Sequence, residues 1–120
     1  MRFLVIVKAN KESEAGVMPT KEILSEMGKF NEELVKAGVM LAGEGLQPSS
    51  KGKRVRFQGK TRTVIDGPFA ETREQLGGYF LVEAAGLEEA LDIAARIPGA
   101  RLGGVEVRQV LGVGGLPDVS

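Results

Sequence analysis

Two carboxylates, Asp66 and Glu44, are the residues of this chain whose type and position suit them best to chemistry. Asp66 ends the run Thr61 to Ile65 and is followed at once by Gly67-Pro68-Phe69, which restricts the backbone. It stands two positions after Val64, so strand alternation puts both on one side, and a carboxylate among apolar neighbours is suited to general acid or base work. The structural alternative is an Asp that bonds the backbone N–H groups of its own turn. Glu44 falls within Val39 to Leu46, where alternation groups it with Met40, Ala42 and Leu46, and an unpaired charge there is costly. Its structural alternative is a solvated strand end, or neutralisation by Arg56, Arg62 or Arg73. Two acids from separate strands can share a proton or grip a cationic or hydroxylated ligand. Tyr79, the one tyrosine, offers a hydroxyl to a pocket, or is a core aromatic with its OH at the edge.

Composition removes most other chemistry. There is no cysteine and no histidine, which excludes disulfides, thiolate nucleophiles, imidazole bases and a zinc or iron–sulfur site with good ligands. The serines, without a histidine, cannot form a triad. Glu44, Asp66 and Glu71 are oxygen ligands for Mg²⁺ or Ca²⁺, but no spaced ligand loop supports such a site, so no metal and no cofactor is assigned. Gly77-Gly78 and Gly103-Gly104 lack the spacing of a phosphate loop. Lys plus Arg equals Asp plus Glu at 16 each, and the short basic cluster Lys51 to Arg56 is interrupted by Gly52 and Val55, so nucleic acid is not the expected partner. No apolar run reaches the roughly 18 residues of a membrane span. A soluble, cytoplasmic protein is expected.

The elements that must position these residues follow from periodicity. Phe3-Leu4-Val5-Ile6-Val7 is a continuous apolar run rich in β-branched residues, the pattern of a central strand covered on both faces. Residues 10–20 read as a loop, and Thr20 caps a helix whose stripe is Ile23, Met27, Phe30 and Leu34, ended by Gly38. A strand over Val39 to Leu46 precedes a break at Gln47-Pro48-Ser49-Ser50. Strands at about 54–57 and 61–65 flank Gln58-Gly59-Lys60 as a hairpin with one face to water. Gly78 to Glu83 is a buried strand, Leu87, Ala90, Leu91 and Ala94 mark a second helix stopped by Pro98-Gly99, and Gly104 to Val110 is the last strand. The tail, residues 112–120, has no period. Without its hairpin this order is the split βαβ arrangement of ferredoxin-like α+β domains, with both helices on one face of an antiparallel sheet. The first strand is apolar on both sides, so the opposite face needs cover, which a homodimer packing sheet on sheet provides.

Asp66-Gly67-Pro68-Phe69, the run Gln75-Leu76-Gly77-Gly78-Tyr79-Phe80-Leu81-Val82-Glu83 and Leu41-Ala42-Gly43-Glu44-Gly45-Leu46-Gln47-Pro48 together resemble the DGPF branch of the YCII-related proteins. The resemblance covers residues 1–111 and implies a dimeric α+β barrel, with residues 112–120 outside the domain. It also implies that Asp66 is the acid which that family pairs with a His, a partner this chain lacks, and that Arg73 occupies a position where the family carries a basic residue. Arg73 then fixes an anionic group or pairs with Glu71 or Glu74. The function expected on these grounds is the binding of a small organic molecule in a cleft of each subunit, with Asp66 and Glu44 as its polar determinants. One alternative is a cofactor-free lyase, isomerase or hydrolase using Asp66 as acid or base, by analogy of fold. Another is a regulatory interaction module, since DGPF-type domains resemble proteins found beside or fused to alternative sigma factors.

Overall fold

The two-residue period of a strand puts Phe3 and Val5 on one face of strand β1 (Arg2–Lys8), and both are almost completely buried. In the computed structural model, which describes residues 1–69, 75–98 and 104–111, this strand is interior to an antiparallel sheet of order β2-β5-β1-β6. Here β2 is Met40–Gly45, β5 is Leu76–Glu83 and β6 is Val105–Gln109. That order is the ferredoxin-like one, in which each helical crossover leaves room for a strand between the two it joins.

Helix α2 (Lys21–Lys36) begins where Thr20 Oγ1 accepts the Ile23 N–H and ends before Gly38, whose φ of 72° is open to glycine at no steric cost. It buries Phe30 and Leu34, and Phe30 meets Phe80 edge to face with ring centroids 5.9 Å apart. Helix α3 (Leu87–Ala95) buries Ala90, Ile93 and Ala94, and Ile97 behind it. Its stripe is therefore rotated from the expected one, because Leu87 and Leu91 are about half exposed. These residues and Phe80 and Val82 form one core between the sheet and the helix layer.

Three local features depart from expectation. Residues 10–20 are not all loop, since Lys11–Glu14 forms the one-turn helix α1, with Asn10 and Ser13 in a reciprocal capping box. In β2 the register slips between Met40 and Ala42, so Met40 pairs with Val82 and joins the core while Ala42 and Glu44 pair with Leu81 and Tyr79 on the opposite face. This bulge breaks the shared parity expected for Met40, Ala42 and Glu44. Finally, β3 (Lys53–Gln58) and β4 (Thr61–Asp66) form their own two-stranded sheet, and both faces of it are largely exposed.

The face of the main sheet away from the helices carries the facing pairs Leu4–Leu81, Ile6–Tyr79 and Glu44–Tyr79, with Glu106 opposite Ile6. The molecule measures 45 × 43 × 19 Å, and 19 Å is the thickness of one sheet and one helix layer. No helix among the described residues is long and apolar enough to cross a membrane.

Candidate functional site

The Asp66-Gly67-Pro68-Phe69 turn is held in place by three separate parts of the chain. Pro48 starts a one-turn 3₁₀ helix over Ser49–Lys51, closed by Lys51 N–H to Pro48 O and Gly52 N–H to Ser49 O. Gly67 packs directly on this turn, donates its N–H to Gly52 O at 3.0 Å, and has no room for a side chain against the Ser49 carbonyl. Close backbone approach therefore accounts for the glycine. The carboxylate of Glu14, at the end of α1, accepts from both the N–H and the hydroxyl of Ser49, whose Oγ in turn accepts the Phe69 N–H at 3.3 Å. On the far side, the Gln75 amide donates to Phe69 O, and the Arg54 guanidinium stacks over the Phe69 ring at 4.1 Å from its centroid.

These contacts wall a cleft of about 670 Å³. Its apolar lining is Leu46, Pro48, Phe69 and Leu76, and its polar lining is Gln47, Ser49, Lys51, Arg54 and Gln75. Apolar walls with a few convergent polar groups are the usual make-up of a small-molecule site. Lys51 and Arg54 are the cations among its described lining residues, and Arg54 is already engaged, over the Phe69 ring among its contacts. A second concavity, about 690 Å³, opens between α2 and α3 over Leu34, Val39 and Ile93, with Glu33, Glu89 and Asp92 at its rim. Its walls are helix faces and the strand approach at Val39, without the cross-linked turns that fix the first cleft.

The sequence candidates take up other positions. Asp66 faces Lys53 across the hairpin and forms an ion pair with it at 2.5 Å, its side chain 76% exposed. The apolar neighbours expected beside it are there, Val55 and Val64, but they are themselves uncovered, so Asp66 is not buried in the single chain. Glu44 is exposed on the open face of the main sheet, opposite Tyr79, which is half-buried. Asp66 and Glu44 thus belong to different sheets, and neither they nor Tyr79 line the cleft of the single chain. Arg73 and the tail lie outside the described residues. Among the described residues no three acidic side chains gather closely enough to hold a metal ion.

What sequence reasoning missed is the lining itself. The capping pattern Asn10-Lys11-Glu12-Ser13 signals α1, and Pro48-Ser49 signals a turn, but nothing local links Glu14 to Ser49 across 35 positions.

An open-faced ferredoxin-like α+β domain with a cleft beside an inserted hairpin defines the class of protein, and the sequence comparisons specify it. The YCII-related domain model matches residues 1–113, and the chain belongs to that family. An uncharacterized protein of Rhizobium meliloti (strain 1021) is 34% identical over 104 residues, spanning 82% of this chain and 84% of that one. Among solved structures, the 5-chloro-2-hydroxyhydroquinone dehydrochlorinase TftG of Burkholderia phenoliruptrix AC1100, in complex with 2,5-dihydroxybenzoquinone, is similar in fold. Its TM-score is 0.52 at 16% identity, covering 93% of this chain and 96% of that one.

Proposed function

We propose that this YCII-related protein binds a small organic molecule in the cleft beside Phe69, one cleft per subunit of a cytoplasmic homodimer. The observation that carries the reading is the cross-linked turn, in which Glu14, Ser49, Gln75 and Arg54 hold Phe69 as a fixed wall. A wall so braced keeps its shape before a ligand arrives, which lowers the ordering cost of binding. The fold neighbour was solved with a small oxygenated ring compound bound, which agrees with this class of ligand. The homodimer is proposed to cover Leu4, Ile6, Tyr79 and Leu81, which lie on the face away from the helices and stay half-buried in one subunit. In that dimer Glu44 and Tyr79 sit at the subunit boundary, and Asp66 is the acid of the turn that builds the cleft.

A thermal-shift screen of organic acids, phenols and quinones on the wild type, Phe69→Ala and Asp66→Asn tests the reading. Compounds that stabilise the wild type and lose that effect in Phe69→Ala support it. A screen in which every hit survives Phe69→Ala moves binding out of the cleft.

A second reading, a cofactor-free enzyme with Asp66 as acid or base, draws on the fold neighbour's activity as a dehydrochlorinase. Incubating the hits with protein and following them by mass spectrometry separates the two: turnover that Asp66→Asn abolishes makes the chain an enzyme, and unchanged hits leave it a binder.

A further inference from the structure

We infer that the β3–β4 hairpin is a docking arm for a second copy of this chain, with Phe57 and Arg62 of one subunit seated against Glu44 and Tyr79 of the partner subunit. The inference rests on the homodimer reading above and adds the element that makes the contact.

Charge is the first observation. Lys51, Lys53, Arg54, Arg56, Lys60 and Arg62 stand against Asp66 alone, so residues 51–66 carry a net charge of +5, and since the whole chain is neutral the remainder carries −5. A segregation of this kind attracts the arm of one copy to the body of another.

The apolar face of the arm is the second. Val55, Phe57 and Val64 share one face with Arg62, and their exposures are 47%, 73% and 53%. An isolated two-stranded hairpin is marginal in water, and an uncovered apolar face on it marks an interaction surface. Arg62 has no ion-pair partner among the described residues, because Phe57, not an acid, is its cross-strand neighbour.

The receiving face pairs Arg2, Lys8 and Arg108 with its other carboxylates, Glu83 and Glu106, so its complement to the arm is local, at Glu44 and the apolar surface beside it. Ile6, Tyr79 and Leu81 supply apolar surface, and Glu44, beside Tyr79, has no ion-pair partner among the described residues, whereas Glu106 is already engaged by Arg108 and Lys8. Each copy therefore presents one cation with an exposed phenyl ring and one carboxylate with a half-buried phenol. A two-fold axis uses both pairs twice. A nucleic acid or an anionic membrane would engage the cations but leave the carboxylate and the open sheet unanswered. Since Arg54 of the same hairpin lines the cleft, seating the arm also fixes one cleft wall.

Sedimentation equilibrium on the wild type, Arg62→Glu, Glu44→Arg and the Arg62→Glu/Glu44→Arg double variant tests the inference, with circular dichroism confirming that each is folded. Each single reversal is expected to weaken dimerisation about tenfold or more, and the double swap to restore it in large part. Because the chain has no cysteine, mixing Phe57→Cys protein with Ile6→Cys protein under mild oxidation should also give a mixed disulfide dimer. Dimerisation unchanged by both reversals, with no mixed dimer, overturns the arm while leaving the homodimer intact. A wild type that stays monomeric overturns both, and if it co-sediments with phosphatidylserine vesicles through Phe57, the arm is a membrane contact instead.

Discussion

Gly67 and Ser49, 18 positions apart, lie in direct backbone contact, so close that a Cβ on Gly67 would overlap the Ser49 carbonyl. The glycine of the Asp66-Gly67-Pro68-Phe69 turn therefore serves packing between two loops, and the contact sets where Phe69 enters the cleft. Gly67→Ala should cost about 2 kcal/mol or more, since a backbone neighbour cannot step aside as a flexible side chain can. Urea denaturation measures this, and a variant as stable as the wild type would show that the two loops are free to part.

Ser49 ties Glu14 to Phe69 through one hydroxyl, which donates to the carboxylate and accepts the amide. Ser49→Ala removes both bonds and leaves the partly buried Glu14 carboxylate with the Ser49 N–H alone. The expected loss is about 1–2 kcal/mol, together with weaker binding of any cleft ligand, because the Phe69 wall loosens. A stability loss with unchanged ligand affinity would mean that the wall is held by Arg54 and Gln75 alone.

Asp66→Asn provides a contrast. Its partner Lys53 is also largely exposed, and an exposed ion pair contributes little, so stability should change by no more than about 0.5 kcal/mol. Ligand affinity or turnover should fall if the carboxylate serves the cleft. Calorimetric titration of a screening hit reads this directly, and equal affinity in the two proteins would leave Asp66 as a turn residue.

The parts of this structure legible in the sequence are those where one period runs unbroken. Phe3 to Val7, the stripe from Ile23 to Leu34, and the run into Val82 each repeat long enough to fix a strand or a helix and its inner face. Parity failed at β2, because a bulge at Leu41 reverses every later side chain and leaves no mark in residue types. It failed in another way at Asp66, where alternation named the correct face but could not tell that the face is uncovered. The cleft was illegible for a different reason: its bonds join residues 14, 49, 69 and 75, and contacts between loops have no period at all.

The two faces of β1 give the last prediction. Val5 is fully buried under the helices, while Ile6, its neighbour, points to the open face opposite Tyr79. Lysine at position 5 must place an ammonium group in the desolvated core beside Phe80, so Val5→Lys should abolish cooperative folding. Lysine at position 6 meets water in a lone subunit, so Ile6→Lys should keep the wild-type far-ultraviolet spectrum yet sediment as a monomer at concentrations where the wild type is expected to form the proposed dimer. The pair of substitutions separates the two roles of one strand. If Ile6→Lys unfolds the chain as Val5→Lys does, the open face is part of the fold itself and no stable single subunit exists; if it remains a dimer, the subunits meet elsewhere.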